Sequence, residues 1–306
     1  MKKIPFSPPD MSEAEINEVA EALRSGWITT GPKTKEFERL IAMCCQTDQA
    51  VCLNSATACM ELILRVLGVG PGDEVITSAY TYTATASVTC HVGAKVVMVD
   101  TAPDSFEMDY DKLADAITEK TKVVLPVDLA GVVCDYDKIF AAVESKKHLF
   151  SPVNDIQKAY GRVIVLADAA HAFGVEVNGK SILNAGDMST LSFHATKVYN
   201  TIEGGALVYH DEKTKKRIDY LKNFGFADEV TIVAPGINGK MDEVRSAYGL
   251  LNLKQVDAAI EGRKQVAVKY REGLRNIKGI RVMEDMPGIR HNYSYFPIFI
   301  DAEEYG

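Results

Sequence analysis

The chain has 306 residues, 47% hydrophobic and 25% charged, enough for one large core or two modest domains. Its formal charge of -8 argues against general nucleic-acid binding, so an anionic ligand would need a local cationic or amide-rich pocket. No apolar stretch approaches the roughly 20 residues of a membrane span, and residues 1–5 lack the apolar core of a signal peptide, so no membrane partner is expected and the expected compartment is cytoplasmic.

Short β-branched runs alternate with helical stretches, which predicts an α/β sheet flanked by helices. Ser12 and Glu15 have capping-box spacing and open a helix that Gly26 closes. Strands are expected at 49–54, 74–77, 95–99, 122–127, 162–167, 188–192 and 205–209, with a helix over 55–67 after the first. Two long helices are expected between residues 241 and 277, and strands at 280–283 and 293–300 open a second, smaller unit. The predicted division is a large domain over 1–250 and the start of a small one over 251–306. Cys44, Cys45, Cys52, Cys59, Cys90 and Cys134 lie in apolar segments without paired spacing, and predict buried thiols with no metal site.

The turn after Asn54 offers free N–H groups at a helix start together with the Ser55 and Thr57 hydroxyls. Such a terminus holds a phosphate, although a plain Ser/Thr cap is the simpler reading. Tyr80 and Tyr82 lie between a strand and a helix, where core packing is the default and stacking on a flat ligand the alternative. Asp168 ends an apolar strand; an ionised carboxylate there needs a cation, unless it merely caps the following helix. Lys197 lies in Ser192-Phe-His-Ala-Thr-Lys197, beyond another strand, and Gly204-Gly205 lets the backbone pass closely. A lysine and an aspartate so placed are what pyridoxal phosphate (PLP) needs, one for its aldehyde and one for its ring nitrogen. A nicotinamide enzyme would want a Gly-rich dinucleotide turn, which Asn54-Ser55-Ala56-Thr57-Ala58 lacks.

With that segment, Asp168-Ala-Ala-His171 and Ser192-Phe-His-Ala-Thr-Lys197 in this order, the chain resembles the PLP-dependent nucleotide-sugar aminotransferases of the DegT/DnrJ/StrS family. The resemblance runs from Gly26-Trp27-Ile28-Thr29-Thr30-Gly31-Pro32 to Ile237-Asn238-Gly239-Lys240-Met241-Asp242-Glu243. It implies a type I fold, a mixed, mostly parallel sheet between helices. It also implies transfer of an amino group, with glutamate as donor, to a 3- or 4-keto sugar on a nucleotide diphosphate, in bacterial surface-glycan or amino-sugar biosynthesis. By the same resemblance Lys197 is the Schiff-base lysine and proton shuttle, Asp168 the partner of the ring nitrogen, and His171 a neighbour of the ring. Tyr82 is then the stacking aromatic, and Ser55, Ala56, Thr57 and Ser192 hold the cofactor phosphate. The segment Gly236-Ile-Asn238-Gly-Lys240-Met241 resembles a loop lent to the neighbouring subunit, which implies a homodimer with shared active sites and a phosphate contact from Asn238. The usual Tyr-Arg pair of that loop is Gly239-Lys240 here, so a bidentate contact is lost or becomes a point charge. His194 and Glu203 receive no role. The stretch 146–162 is longer than the resemblance implies for the connection before the Asp168 strand, and reads against it as a surface insertion, with a substrate flap as the alternative. Family members continue beyond an equivalent of residues 296–300, and a strand there needs edge partners, so the small domain is expected to be incomplete. Two alternatives are a PLP-binding regulator without catalysis and a sugar dehydratase of the same family, which would carry histidine in place of Lys197.

Overall fold

Ser12 caps the first helix, α1 (Glu13–Arg24), Glu15 completes the capping box, and Gly26 at φ +75° turns the chain away, as the sequence pattern predicts. The computed structural model describes residue 8 and residues 11–306, and the segment read for a signal peptide lies outside the described residues. Pro32 stands at the start of α2 (Pro32–Cys44), where a helix has no use for its missing N–H. Alternation then sets in with β1 (Gln49–Leu53), α3 (Ala56–Leu67), β2 (Glu74–Ser78), α4 (Thr83–His91) and β3 (Lys95–Val99). It continues with α5 (Tyr110–Ala116), β4 (Thr121–Leu125), α6 (Tyr136–Ser145), α7 (Asp155–Tyr160) and β5 (Ile164–Asp168). A small hairpin, β6 (Glu176–Val177) and β7 (Lys180–Ser181), precedes β8 (Met188–Ser192) and β9 (Gly205–Tyr209). Helices α8 (Glu212–Leu221), α9 (Glu243–Asn252) and α10 (Val256–Leu274) follow, then β10 (Ile280–Val282), β11 (Ile289–Arg290), β12 (Ile298–Ile300) and α11 (Ala302–Tyr305).

The seven strands predicted for the large unit form one sheet, in the order β1-β9-β8-β5-β4-β2-β3. Only β9 is reversed, pairing antiparallel with β1 and β8, while β8, β5, β4, β2 and β3 pair in parallel. Strands covered on both faces are built around apolar runs; β2, β4, β5 and β9 are buried at every position, including the polar residues they carry, such as Glu74, Lys122 and Asp168. Alternate residues feed two cores: Val123 and Leu125 of β4 pack with Leu62 and Ile63 of α3, and Val124 with the layer that holds Phe37, Phe193 and Tyr199. Each such large side chain taken out of water contributes roughly 1.5–3 kcal/mol.

Three expectations need correction. The strand expected over 293–300 is confined to Ile298–Ile300, because Tyr293 takes a left-handed φ of +51° and Pro297 has no N–H for a ladder. Residues 146–162 are not a plain surface insertion: the Asn154 and Gln157 side-chain amides each donate to Leu67 O at 2.8 Å, and Gln157 is buried. They satisfy a C-terminal carbonyl of α3 that the helix itself cannot. Of the cysteines, Cys45, Cys52, Cys59 and Cys134 are buried, but Cys44 and Cys90 are exposed; each sits in the last turn of a helix, on the outward side, which apolar flanks alone do not reveal. No group of metal-ligating side chains occurs among the described residues, and none of their helices is long and apolar enough to cross a membrane.

Candidate active site

The loops after β1, β2, β4, β5 and β8 leave the sheet along one edge, and the reversed β9 brings its first residue there. Ligand sites of open α/β sheets form outside this edge. A cavity of about 740 Å³ lies there, lined by Ser55, Ala56 and Thr57 after β1, Tyr80 and Tyr82 after β2, Asp168 and His171 after β5, and Ser192 and Lys197 after β8. The sheet thus brings together every residue proposed for the site from the sequence except Asn238.

Ser55 is the N-cap of α3, its Oγ accepting from Ala58 N at 3.0 Å. The Ala56 and Thr57 N–H groups open the helix and have no carbonyl one turn back, so the cap and anion readings are compatible. Gly205 makes this arrangement possible. A Cβ at that position would lie 2.4 Å from Ala56 N and 2.6 Å from Ser55 C, so only glycine lets β9 pass the helix start.

Asp168 is 5% exposed. Thr85 Oγ1 donates to its Oδ2 at 2.7 Å and Ala170 N to its Oδ1 at 3.1 Å. Burial raises its pKa, and these two bonds with the more distant Lys197 charge pull it back in part. A buried carboxylate met by neutral donors is completed by a cation, and a protonated pyridine nitrogen is one. Thr85, on α4, was missed in the sequence; it lies in the small-residue run after Tyr82, and nothing local marks it as a partner of Asp168.

His171 is largely buried, and Ala130 N donates to its Nδ1 at 3.1 Å. Burial, with the Lys197 charge adding to it, pushes its pKa down to about 3, so the ring is neutral. The Tyr295 ring lies 4.7 Å from that of His171, and Lys197 Nζ stands 5.7 Å from the Tyr295 ring centre. Tyr295 therefore lines the cavity, a role hidden by its reading as a strand residue.

Lys197 is carried on a turn after β8, its N–H donating to His194 O at 2.9 Å. On the rim, His194 Nε2 lies 3.6 Å from Glu203 Oε1, and both side chains are half-exposed. Tyr80 and Tyr82 are 54% and 74% exposed, so Tyr80 is wall and not core; it stacks on Phe106 at 5.8 Å. Asn238 does not line the cavity of its own chain. Its carbonyl accepts from Asn54 Nδ2 at 2.8 Å, and Lys240 Nζ reaches its Oδ1 at 3.2 Å, so the loop docks on the β1–α3 turn.

Residues 9–305 match the DegT/DnrJ/EryC1/StrS aminotransferase family. The chain is 38% identical to dTDP-4-amino-4,6-dideoxy-D-glucose transaminase of Shigella dysenteriae, over 89% of its own length and 70% of that enzyme's. It is 34% identical to UDP-4-amino-4-deoxy-L-arabinose–oxoglutarate aminotransferase of Shewanella sediminis, over 98% of this chain and 76% of the other. Among solved structures, Streptococcus pneumoniae Spr1654 in its PMP form superposes with a TM-score of 0.95 at 44% identity, covering 98% of this chain and 78% of that one. The same protein in its PLP form gives a TM-score of 0.94. With nearly the whole sequence and the whole sheet in agreement, the chain belongs to the DegT/DnrJ/EryC1/StrS aminotransferases, PLP-dependent enzymes of fold type I.

Proposed function

We propose that the protein moves an amino group from glutamate to a 3- or 4-keto sugar carried on a nucleotide diphosphate, in surface-glycan or amino-sugar biosynthesis. The observation that carries this reading is the convergence of Lys197, Asp168 and the α3 N-terminus on one cavity, in a chain related to transaminases of dTDP- and UDP-linked sugars. PLP, when bound, supplies an electrophilic aldehyde and a ring that takes up electron density from the reacting carbon.

In this reading Lys197 provides the amine for the aldehyde and, once free, carries a proton to and from the reacting carbon. Asp168 keeps the ring nitrogen protonated, because its buried charge is costly without a cation beside it. The Ala56 and Thr57 N–H groups and the Ser55 and Ser192 hydroxyls hold the phosphate with little need of lysine or arginine, which suits a chain of charge -8. His171 donates a hydrogen bond as a neutral ring, and Tyr82 covers the site and excludes water. Asn238 reaches a partner's phosphate in a homodimer, and residues 1–250 and 251–306 are the large and small units.

The test is to incubate the protein with PLP, glutamate and a panel of nucleotide-linked 3- and 4-keto sugars, and to read products by mass. One aminated sugar is expected. Conversion of glutamate without amination of any sugar would overturn the sugar assignment, and cofactor binding without either half-reaction would favour a non-catalytic binder.

A further inference from the structure

The turn that carries His171 is held from two sides by groups distant in sequence. On one side, the short turn Leu129–Gly131 follows Asp128, whose carboxylate accepts from Cys134 N and from Tyr136 Oη, each at 3.0 Å. Ala130 takes a left-handed φ of +58° in that turn and donates to His171 Nδ1 at 3.1 Å. A backbone N–H can only donate, so Nδ1 offers its lone pair and the single proton of the neutral ring stands on Nε2.

On the other side lies Asn292, a fully buried residue. Its Nδ2 donates to His171 O at 2.7 Å and to Phe173 O at 2.9 Å, while its Oδ1 accepts from Ser294 N at 3.1 Å. Three partners of known polarity fix which end of the amide is which. Gly131 packs between the two halves: a Cβ on it would lie 2.5 Å from Asn292 Oδ1 and 3.3 Å from His171 O. One side chain thus abuts the turn that supplies the donor and pins the turn that supplies the acceptor. Tyr295, three positions further on, rests against the imidazole, so the same short segment forms part of the wall.

We infer that Asn292 is a positioning residue for His171: it locks the Ala130–His171 bond, holds the imidazole in its Nε2–H form, and leaves that N–H as the only donor the ring can offer to a ligand in the cavity. A ring free to exchange tautomers would offer a lone pair for part of the time, which repels an electron-rich oxygen. An aliphatic residue at 292 would take the Asn292 donor from the buried Phe173 carbonyl and the partly buried His171 carbonyl, and release both turns.

This concerns the protein without cofactor and does not depend on the sugar reading. Two-bond proton–nitrogen correlation spectra of the histidine-labelled protein test it, with His171 assigned by its loss in His171→Asn. The wild type is expected to show a pyridine-like Nδ1 and a pyrrole-like Nε2. In Asn292→Ala both shifts should move towards the mean of the two tautomers, and the Kd for PLP should rise about tenfold, as for one lost hydrogen bond. Should Asn292→Ala not fold, Asn292→Ser keeps one donor and is judged in the same way. A wild-type spectrum with the proton on Nδ1 overturns the inference whatever the variants do. A folded Asn292→Ala protein that keeps the wild-type shifts overturns it as well.

Discussion

Asp168 ends β5, Asp128 follows β4, and the Asp128 N–H donates to the Asp168 carbonyl at 3.1 Å. Both are buried, yet only Asp168 lines the cavity. If Asp168 has the role proposed for it, Asp168→Asn should retain PLP, since the phosphate site proposed at the α3 terminus is untouched, while the rate falls roughly 100-fold or more through loss of the charge proposed at the ring nitrogen. Stopped-flow turnover beside a PLP titration separates the two effects, and near-normal turnover would mean that another group serves the nitrogen. Asp128 instead makes the stability of the fold depend on pH. Burial, with Asp168 adding to it, pushes its pKa up to about 7. A carboxyl whose folded pKa exceeds its unfolded value of about 4 destabilises the fold progressively as pH rises between those values. Asp128→Asn gives up one of the two acceptors, for Cys134 N or Tyr136 Oη, but the Tm of the variant relative to wild type should rise from about pH 4 to about pH 7 and then level off. A difference that does not vary over that window would show that Asp128 titrates normally.

At the scale of elements, the site depends on how closely β9 and α3 approach. Gly205→Ala places a methyl group against the helix-start backbone, and overpacking of this kind costs about 1–3 kcal/mol. PLP affinity should drop with stability, because the displaced N–H groups are those proposed to hold the phosphate. Gly262→Ala on α10, where a Cβ meets nothing within 4 Å, serves as control and should be neutral or slightly stabilising. Denaturant unfolding and PLP titration of the two variants test this, and normal affinity in Gly205→Ala would remove α3 from the phosphate site. The seven sheet strands were legible as short runs rich in β-branched residues that alternate with helical stretches, four of them, β2, β4, β5 and β9, being buried at every position. The two-residue strands of the β6–β7 hairpin carry no such period, and the backbone between Tyr293 and Pro297 is set by Asn292 and its distant partners. Lys197 and Asp168 could be read because their chemistry is local to a strand end. Thr85 and Tyr295 could not, since each acquires its meaning only when the fold brings it to Asp168 or His171.

At the scale of the whole molecule, Val230, Ile232 and Val233 are 86%, 64% and 52% exposed on the loop that leads to Asn238. Apolar side chains grouped on one exposed loop favour a partner surface, in keeping with the proposed homodimer. Lys197→Ala subunits mixed with subunits disabled at Asn238 should then regain activity, because a heterodimer rebuilds one intact site. The experiment requires that each homodimer be inactive and that subunits exchange. Failure to regain activity, or an active monomer in light scattering, would rule out a cross-subunit role for Asn238.

The central claim is that Lys197 is the residue that joins the cofactor. Borohydride reduction of the PLP-loaded protein followed by peptide mapping measures it directly. A pyridoxyl group on the peptide containing Lys197, absent from a Lys197→Ala protein that still binds PLP without a covalent bond, is the predicted result. A label on any other lysine, or an unlabelled protein that nonetheless turns over, would contradict it.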